Sequence, residues 1–308
     1  MDKIKIKSPS SVANLSCGYD ILGLCLNEPY DEIEIEKNNS LEIKIEILDS
    51  PFSMIPAKPE ENTGGIPAIL IQKDLKLDFG FNIKIKKGIP LCGGLGSSAA
   101  TAAGVVYGIN KLLGDVLSLN KMIEYSLEGE KLSSETPHAD NIAPCILGGL
   151  VLVKSTYPVD VVKLPVGPFY LALIHPDIKI STKDARKILP KDIPLEAAVK
   201  QWGNISALTY AFTVNDIDLI SASMNDVIIE PVRSKLIKGF NEIKKTAIDN
   251  GAIGSSISGS GPTIFALCAS KEDALNIINK MEETAKHLKL NYNSYVSSIN
   301  HSGPKIIN

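Results

Sequence analysis

Four short stretches alternate an aliphatic or aromatic residue with a charge or amide at period two: Lys3–Lys7, Asp31–Glu36, Leu41–Ile47 and Phe81–Lys86. In an extended chain this puts the apolar side chains on one face and the polar ones on the other. Each stretch therefore predicts a half-buried strand of a largely antiparallel sheet with one wet face. Gly148–Val153 and Phe169–Pro176 are apolar without alternation and predict fully buried strands. Helical spacing appears over Ser97–Leu113 and Asn120–Leu132, then dominates after Ile180, over Leu195–Phe212, Asp216–Asn225, Ser234–Asp249 and Lys271–Leu288. Pro262–Ala269 predicts a strand between the last two helices, and Tyr295–Ile299 one that closes the sheet. The change of texture falls between Ser155 and Pro168 and predicts an α+β protein in two units, 1–160 and 161–308. A length of 308 residues suits two domains.

Composition narrows the classes. A net charge of −3 and a pI of about 5.9 argue against broad binding to nucleic-acid phosphates. No apolar run reaches the ~18 residues needed to cross a bilayer, and the opening MDKIKIKSPSS lacks the apolar block of a secretory leader. Cys17, Cys25, Cys92, Cys145 and Cys268 are scattered and odd in number, which predicts reduced thiols in a cytoplasmic protein, with no disulfide framework or zinc site. Of 32 basic residues only Arg186 and Arg233 are arginines. Arginine differs from lysine by a planar fork that grips a carboxylate or phosphate with two parallel hydrogen bonds. Surface side chains and anion ligands are both open to this pair.

The chemistry concentrates in PLCGGLGSSAATAAG, Pro90–Gly104, which joins a predicted strand to a predicted helix. Glycines let backbone N–H groups approach an anion closely, and a helix start supplies unpaired N–H groups and the positive end of the dipole. Ser97 and Ser98 can cap the helix or ligate a metal ion bridging phosphates. The loop lacks the GK[ST] of a Walker A and the GxGxxG of a dinucleotide site. Alone, it fits equally a tight turn into a buried helix.

Its flanks decide. PLCGGLGSSAA resembles the central signature of the GHMP kinases, the superfamily of galactokinase and of homoserine, mevalonate and phosphomevalonate kinases. SPSSVANLSCGYDILGLCL (Ser8–Leu26) resembles the first motif as homoserine kinases carry it, with Ser16 and Cys17 where Gly-Pro is usual. GAIGSSISGSGPTIFAL (Gly251–Leu267) resembles the third motif. PHADNIAPCILGGLVLV (Pro137–Val153), STKDARKILP (Ser181–Pro190) and EPVRSKLI (Glu230–Ile237) are similar to homoserine kinase blocks, so the resemblance covers nearly the whole chain. It implies a two-domain GHMP kinase fold: a ribosomal-protein-like N-terminal domain with a left-handed crossover, and a ferredoxin-like C-terminal domain. It also implies a homodimer, and transfer of the γ-phosphoryl of ATP to the hydroxyl of L-homoserine for threonine synthesis.

By the same resemblance, the triphosphate lies over Gly93, Gly94, Leu95, Gly96, Ser97 and Ser98, with Pro90, Leu91 and Cys92 on the same loop. Ser98 and Glu130 hold Mg²⁺, Glu128 being the rival carboxylate, and Asn62 contacts adenine or simply forms a turn. Arg186 and Arg233 grip the substrate carboxylate, while Asp20 and Asn14 receive its ammonium. His138 and Asn141 line the pocket, Asn141 holding the reacting hydroxyl and Thr182 reaching the γ-phosphate. Asp140 is either a participant or a helix cap. Homoserine kinases are thought to lack a dedicated base, so direct attack is expected, with Asn141, Asp140 and Thr182 nearest the reacting atoms. The third motif is expected to fold against the other two. His175, His287 and His301 read as structural. Within enzymes the rival is a mevalonate-type kinase or the related decarboxylase, whose substrates carry no ammonium for Asp20. A non-catalytic binding protein of the same fold would not require the glycine loop, Ser98 and Glu130 together.

Overall fold

The computed structural model describes residues 2–48, 55–132 and 138–307. Pro137, the first residue of the block around His138, lies outside them.

The alternating stretches form one mixed sheet. β1 (Lys3–Ala13) pairs antiparallel with β2 (Leu22–Asn38), so that Ile4 faces Ile35 and Ile6 faces Ile33. β3 (Ile43–Leu48) leads through α1 (Gly65–Asp74) to β4 (Gly80–Lys86), which pairs parallel with β3 and antiparallel with β2. The buried isoleucines of β1, β2 and β4 meet α2 (Ser97–Leu112), α3 (Leu119–Glu130) and α4 (Ala139–Leu147) in one core. α2 is rich in alanine and glycine, which lets it lie close on the sheet: a Cβ at Gly104 would fall 2.6 Å from Ile33 Cδ1. β5 (Leu150–Ser155) and β6 (Asp160–Leu164) extend the sheet from the start of β2.

The second half contains β7 (Tyr170–Pro176), α5 (Thr182–Lys187), α6 (Leu195–Val214), α7 (Ile217–Ser223), α8 (Glu230–Arg233) and α9 (Phe240–Asp249). It continues with β8 (Gly254–Ile257), β9 (Ile264–Cys268), α10 (Lys271–His287) and β10 (Tyr292–Ser298). The strand order β10-β7-β9-β8 is antiparallel throughout and has the ferredoxin-like arrangement. Period-two alternation divides its faces. Ala172, Ile174, Ile264 and Ala266 pack under α9 and α10, whereas Leu171, Leu173, Phe265 and Leu267 join the core of the first sheet. The expected helix Ser234–Asp249 is interrupted: a single 3₁₀ turn, Ser234–Leu236, ends at an extended Ile237, and Gly239 at φ 81° starts α9. The chain returns at its end, where β11 (Lys305–Ile307) pairs with β1. β6 and β11, both from residue 160 onward, hydrogen-bond into the first sheet.

Candidate active site

Three turns converge on one cleft of about 280 Å³. The first leaves β1 through three successive residues in the left-handed region, Asn14 (φ 72°), Leu15 (φ 41°) and Ser16 (φ 70°), and closes when Asp20 N donates to Asn14 Oδ1 at 3.1 Å. The second is the glycine loop between β4 and α2, and the third joins β8 to β9. Asn14 Nδ2 donates to Gly259 O (2.9 Å), Gly259 N to Ala13 O (3.1 Å) and Ser258 Oγ to Gly94 O (2.6 Å), so the turns brace one another. At Gly94, with φ 77°, a Cβ would fall 2.1 Å from Ser258 O, so no larger residue fits between the second and third turns.

Gly96 is the cap residue of α2 and no side chain caps its first turn. Ser97 Oγ points away, donating to Ile89 O at 3.1 Å. Neither serine therefore caps the helix, and the first-turn N–H groups that a cap would occupy belong to a loop lining the cleft. Beneath that loop lies an ion pair between Lys87 and Asp31, whose side chains are 2% and 0% exposed. Lys87 Nζ also donates to Ser97 O and Thr101 Oγ1, both at 2.8 Å, while Asp31 Oδ1 accepts from Gly88 N (3.0 Å) and Ile89 N (3.1 Å). The pair clamps the end of β4 to the start of α2.

Two buried carboxylates, Glu130 and Asp140, line the cleft. Glu128 turns away and pairs with Lys131 at 2.6 Å. Burial pushes the Asp140 carboxyl up to about 7, although His138 pulls it down. Asp140 is the second residue of α4, whose cap residue is His138, so it does not cap that helix. α4 can lie this close to β2 because residue 23 is glycine: a Cβ there would fall 1.7 Å from Asp140 O. His138 Nδ1 lies 3.5 Å from Glu130 Oε1 and its Nε2 3.3 Å from Arg186 Nη2. Burial lowers the affinity of this imidazole for a proton. The Glu130 hydrogen bond and the neighbouring carboxylates outweigh that effect, so its pKa is raised. Asn141 Oδ1 accepts from Ser11 Oγ at 2.8 Å.

Opposite charge enters from the second half. Arg186 Nη2 contacts both Asp20 oxygens at 3.0 and 2.9 Å. Arg233 is 3% exposed, with Nε donating to Ala185 O (3.2 Å) and Nη1 to Gly259 O (3.0 Å). The Tyr19 ring lies near both guanidinium groups, 5.5 Å from Arg186 Cζ and 4.9 Å from Arg233 Cζ. Asp226 accepts the N–H groups of Ile228, Ile229 and Glu230 at the start of α8, and Gln201 Nε2 donates to Asp226 (2.9 Å) and to Cys17 O (3.0 Å). One amide thus ties the Tyr19–Asp20 turn to the helix bearing Arg233.

Residues 67–149 match the model of the GHMP kinase N-terminal domain, and residues 207–287 that of the C-terminal domain. A homoserine kinase of Chloroherpeton thalassium is 37% identical over 97% of this chain and 98% of its own. One of Methanococcus vannielii is 41% identical over 92% of this chain and 93% of its own. The crystal structure of homoserine kinase from Cytophaga hutchinsonii superposes with a TM-score of 0.95 at 44% identity, covering 100% of this chain and 98% of that one. The chain belongs to the homoserine kinase family of GHMP kinases. A mevalonate kinase of L. major, at 17% identity and a TM-score of 0.75, shares the fold alone.

Of the residues expected from this family's motifs, Asn14, Asp20, Leu91, Cys92, Gly93, Gly94, Gly96, Ser97, Ser98, Glu130, His138, Asp140, Asn141, Thr182, Arg186 and Arg233 all line the cleft. Pro90 and Leu95 do not: Leu95 is a core side chain that reaches the site region only through its carbonyl, which accepts Ser11 N at 3.2 Å. Asn62 lines the cleft but serves its own turn, donating to Pro56 O (2.7 Å) and accepting Gly64 N (2.9 Å). His175 is buried beside the loop, 3.1 Å from Thr263 Oγ1, and burial lowers its pKa. Motif reading missed Lys87, Asp31, Tyr19, Gln201 and Asp226. The one available signal was Lys87, a second consecutive lysine directly after an alternating strand.

Proposed function

We propose that this kinase transfers the γ-phosphoryl of ATP to the side-chain hydroxyl of L-homoserine, in the cytoplasm and as a homodimer. One observation carries the substrate assignment: Arg186, Arg233 and Asp20 converge on the cleft that holds the uncapped start of α2. Phosphates fit the helix start, and an amino acid's two charges fit the arginines and the aspartate. The free state of Cys17, Cys25, Cys92, Cys145 and Cys268 supports the compartment.

Arg186 and Asp20 neutralise each other in this structure, and a zwitterion can replace that pair on both sides at once. Its carboxylate takes Arg186 and Arg233, and its ammonium takes Asp20, beside Asn14. A substrate lacking either charge leaves one partner desolvated and unpaired, which costs about 1–3 kcal/mol of discrimination or more. The Glu130 carboxylate and the Ser98 hydroxyl bring hard oxygen donors into the cleft. Among the described residues no cluster of three His, Cys, Asp or Glu side chains could hold a metal ion. That set fits Mg²⁺, which takes one or two protein oxygens beside phosphate oxygens, and Ser98 and Glu130 would hold it. When bound, the ion would neutralise the charge that develops on the phosphoryl oxygens.

With Asn141 fixing the hydroxyl and Thr182 near the γ-phosphate, the hydroxyl oxygen attacks phosphorus in line while the bond to the β-phosphate oxygen breaks and ADP leaves. In a loose transition state the nucleophile keeps its proton until late, so the proton passes to a phosphoryl oxygen or to solvent. A second reading makes Asp140 the base, since its carboxyl is held at about 7, where a proton acceptor is useful. Asp140→Asn decides between the two: direct attack requires turnover to persist, and lost turnover with both substrates still bound establishes the base.

The assignment is tested by ADP release with ATP and Mg²⁺ across L-homoserine, L-threonine, L-serine, mevalonate and galactose. Homoserine-dependent turnover that collapses in Arg233→Lys is expected. Turnover with another alcohol alone overturns the substrate, and silence with all five despite ATP binding overturns catalysis.

A further inference from the structure

α6 carries an apolar stripe exposed to solvent. Ala198, Gln201, Leu208 and Phe212 face inward, whereas Leu195, Val199, Trp202, Tyr210 and Val214 are 50–71% exposed. At about 100° per residue the five α6 positions fall within an arc of roughly 120°, with Ser206 near its centre. Trp202 is the chain's single tryptophan, a residue highly buried on average. Gly203, in mid-helix, is a second anomaly. Glycine is a poor helix former, and a Cβ here would meet nothing within 4 Å, so no contact inside the chain requires it. The space it leaves suits the close approach of a second helix to this face.

The stripe is also self-complementary. Trp202 and Tyr210 lie four residues either side of Ser206, and Val199 and Val214 seven and eight. We infer that α6 is a two-fold interface on which a second copy of this chain docks antiparallel, with the axis at Ser206. Trp202 then meets Tyr210 of the partner subunit, and Val199 meets Val214 of the partner subunit. This is an isologous contact in which the small Gly203 and Ser206 let the helices approach. The exposed parts of the five apolar residues of α6 amount to about 500 Å² per copy. The total of about 1,000 Å² reaches the lower limit for a specific interface. The inference rests on the homodimer proposed above and not on the substrate.

The test combines sedimentation of the full chain, Trp202 emission, and two variants. A dimer mass at micromolar concentration is expected, with Trp202 emission shifting to the red on dilution to monomer. Trp202→Glu should keep its circular dichroism and raise the dimer dissociation constant at least about 30-fold. Ser206→Cys should form a covalent dimer on mild oxidation, reversed by dithiothreitol, under conditions where the wild-type chain forms none. A monomer at every concentration overturns both the interface and the homodimer. A dimer that persists in Trp202→Glu while Ser206→Cys fails to cross-link overturns the interface and leaves the homodimer standing.

Discussion

Ser16 should be a residue the protein is more stable without. Its backbone is held at φ 70°, its side chain is 2% exposed, and its hydroxyl has no hydrogen-bond partner among the described residues. A non-glycine residue in the left-handed region costs about 1 kcal/mol, and a buried unpaired hydroxyl about 1–3 kcal/mol. Glycine removes both penalties and loses about 0.5–1 kcal/mol through the greater freedom of the unfolded chain. Ser16→Gly should therefore stabilise the protein by about 1–3.5 kcal/mol, or roughly 2–5 °C in melting midpoint. Ser16→Ala removes the hydroxyl but keeps the backbone strain, so midpoints should rise in the order Ser, Ala, Gly. The KM for L-homoserine should not move, because the turn stays pinned through Cys17 O to Gln201 and through Cys17 Sγ to Ser223 O at 3.4 Å. Scanning calorimetry of the three proteins, with urea titration alongside, measures this. A midpoint for the glycine variant equal to or below that of the serine protein would refute the reasoning.

Tyr19→Leu removes a ring shared by two guanidinium groups, each contact worth about 0.5–2 kcal/mol according to burial. The KM for L-homoserine should rise about 10–50-fold while that for ATP holds, and Tyr19→Phe should restore it; equal losses in Phe and Leu would assign the role to the hydroxyl instead. For Asp140, the folded carboxyl sits near 7 against an ordinary 3.8, so the folded state binds the proton more tightly. Its ionisation penalty is absent below the ordinary 3.8 and grows until the pH reaches about 7, and the His138 contribution, its pKa being raised from 6.5, is lost in the same direction at higher pH. Unliganded stability by urea titration should thus fall between about pH 4 and 8, and Asp140→Asn should flatten the slope below 7; an unchanged slope there in that variant contradicts the shift. Asp31→Asn leaves the buried Lys87 ammonium unpaired and should cost about 3–5 kcal/mol. Adding Lys87→Met should recover most of that loss, and a double variant as unstable as the single would show that the ion pair is not the cause.

Alternation and helical spacing located β1, β3, β4, α2, α3, α6 and α10 to within a few residues, except that β1 runs on well past its alternating start. Each periodicity reports a face against solvent, which is a local property. The glycine turns were legible for a similar reason. A loop that must bring backbone N–H groups to an anion needs glycine at particular steps, and that need is written in adjacent residues. The interruption before Gly239 was not legible, because a continuous apolar pattern masks a single extended residue. Nor was the return of β11 to β1, because an edge strand's register depends on a partner some 300 positions away. The same holds for what supports the site. Lys87 and Asp31 stand 56 positions apart, and Gln201 reaches Cys17 across 184. Tyr19 reads as one aromatic in a turn until α5 and α8 bring Arg186 and Arg233 beside it. The sequence by itself determined which chemistry the chain carries, because motifs are local. Tertiary structure alone decided which side chains hold that chemistry in place, because burial and pairing arise only where distant segments meet.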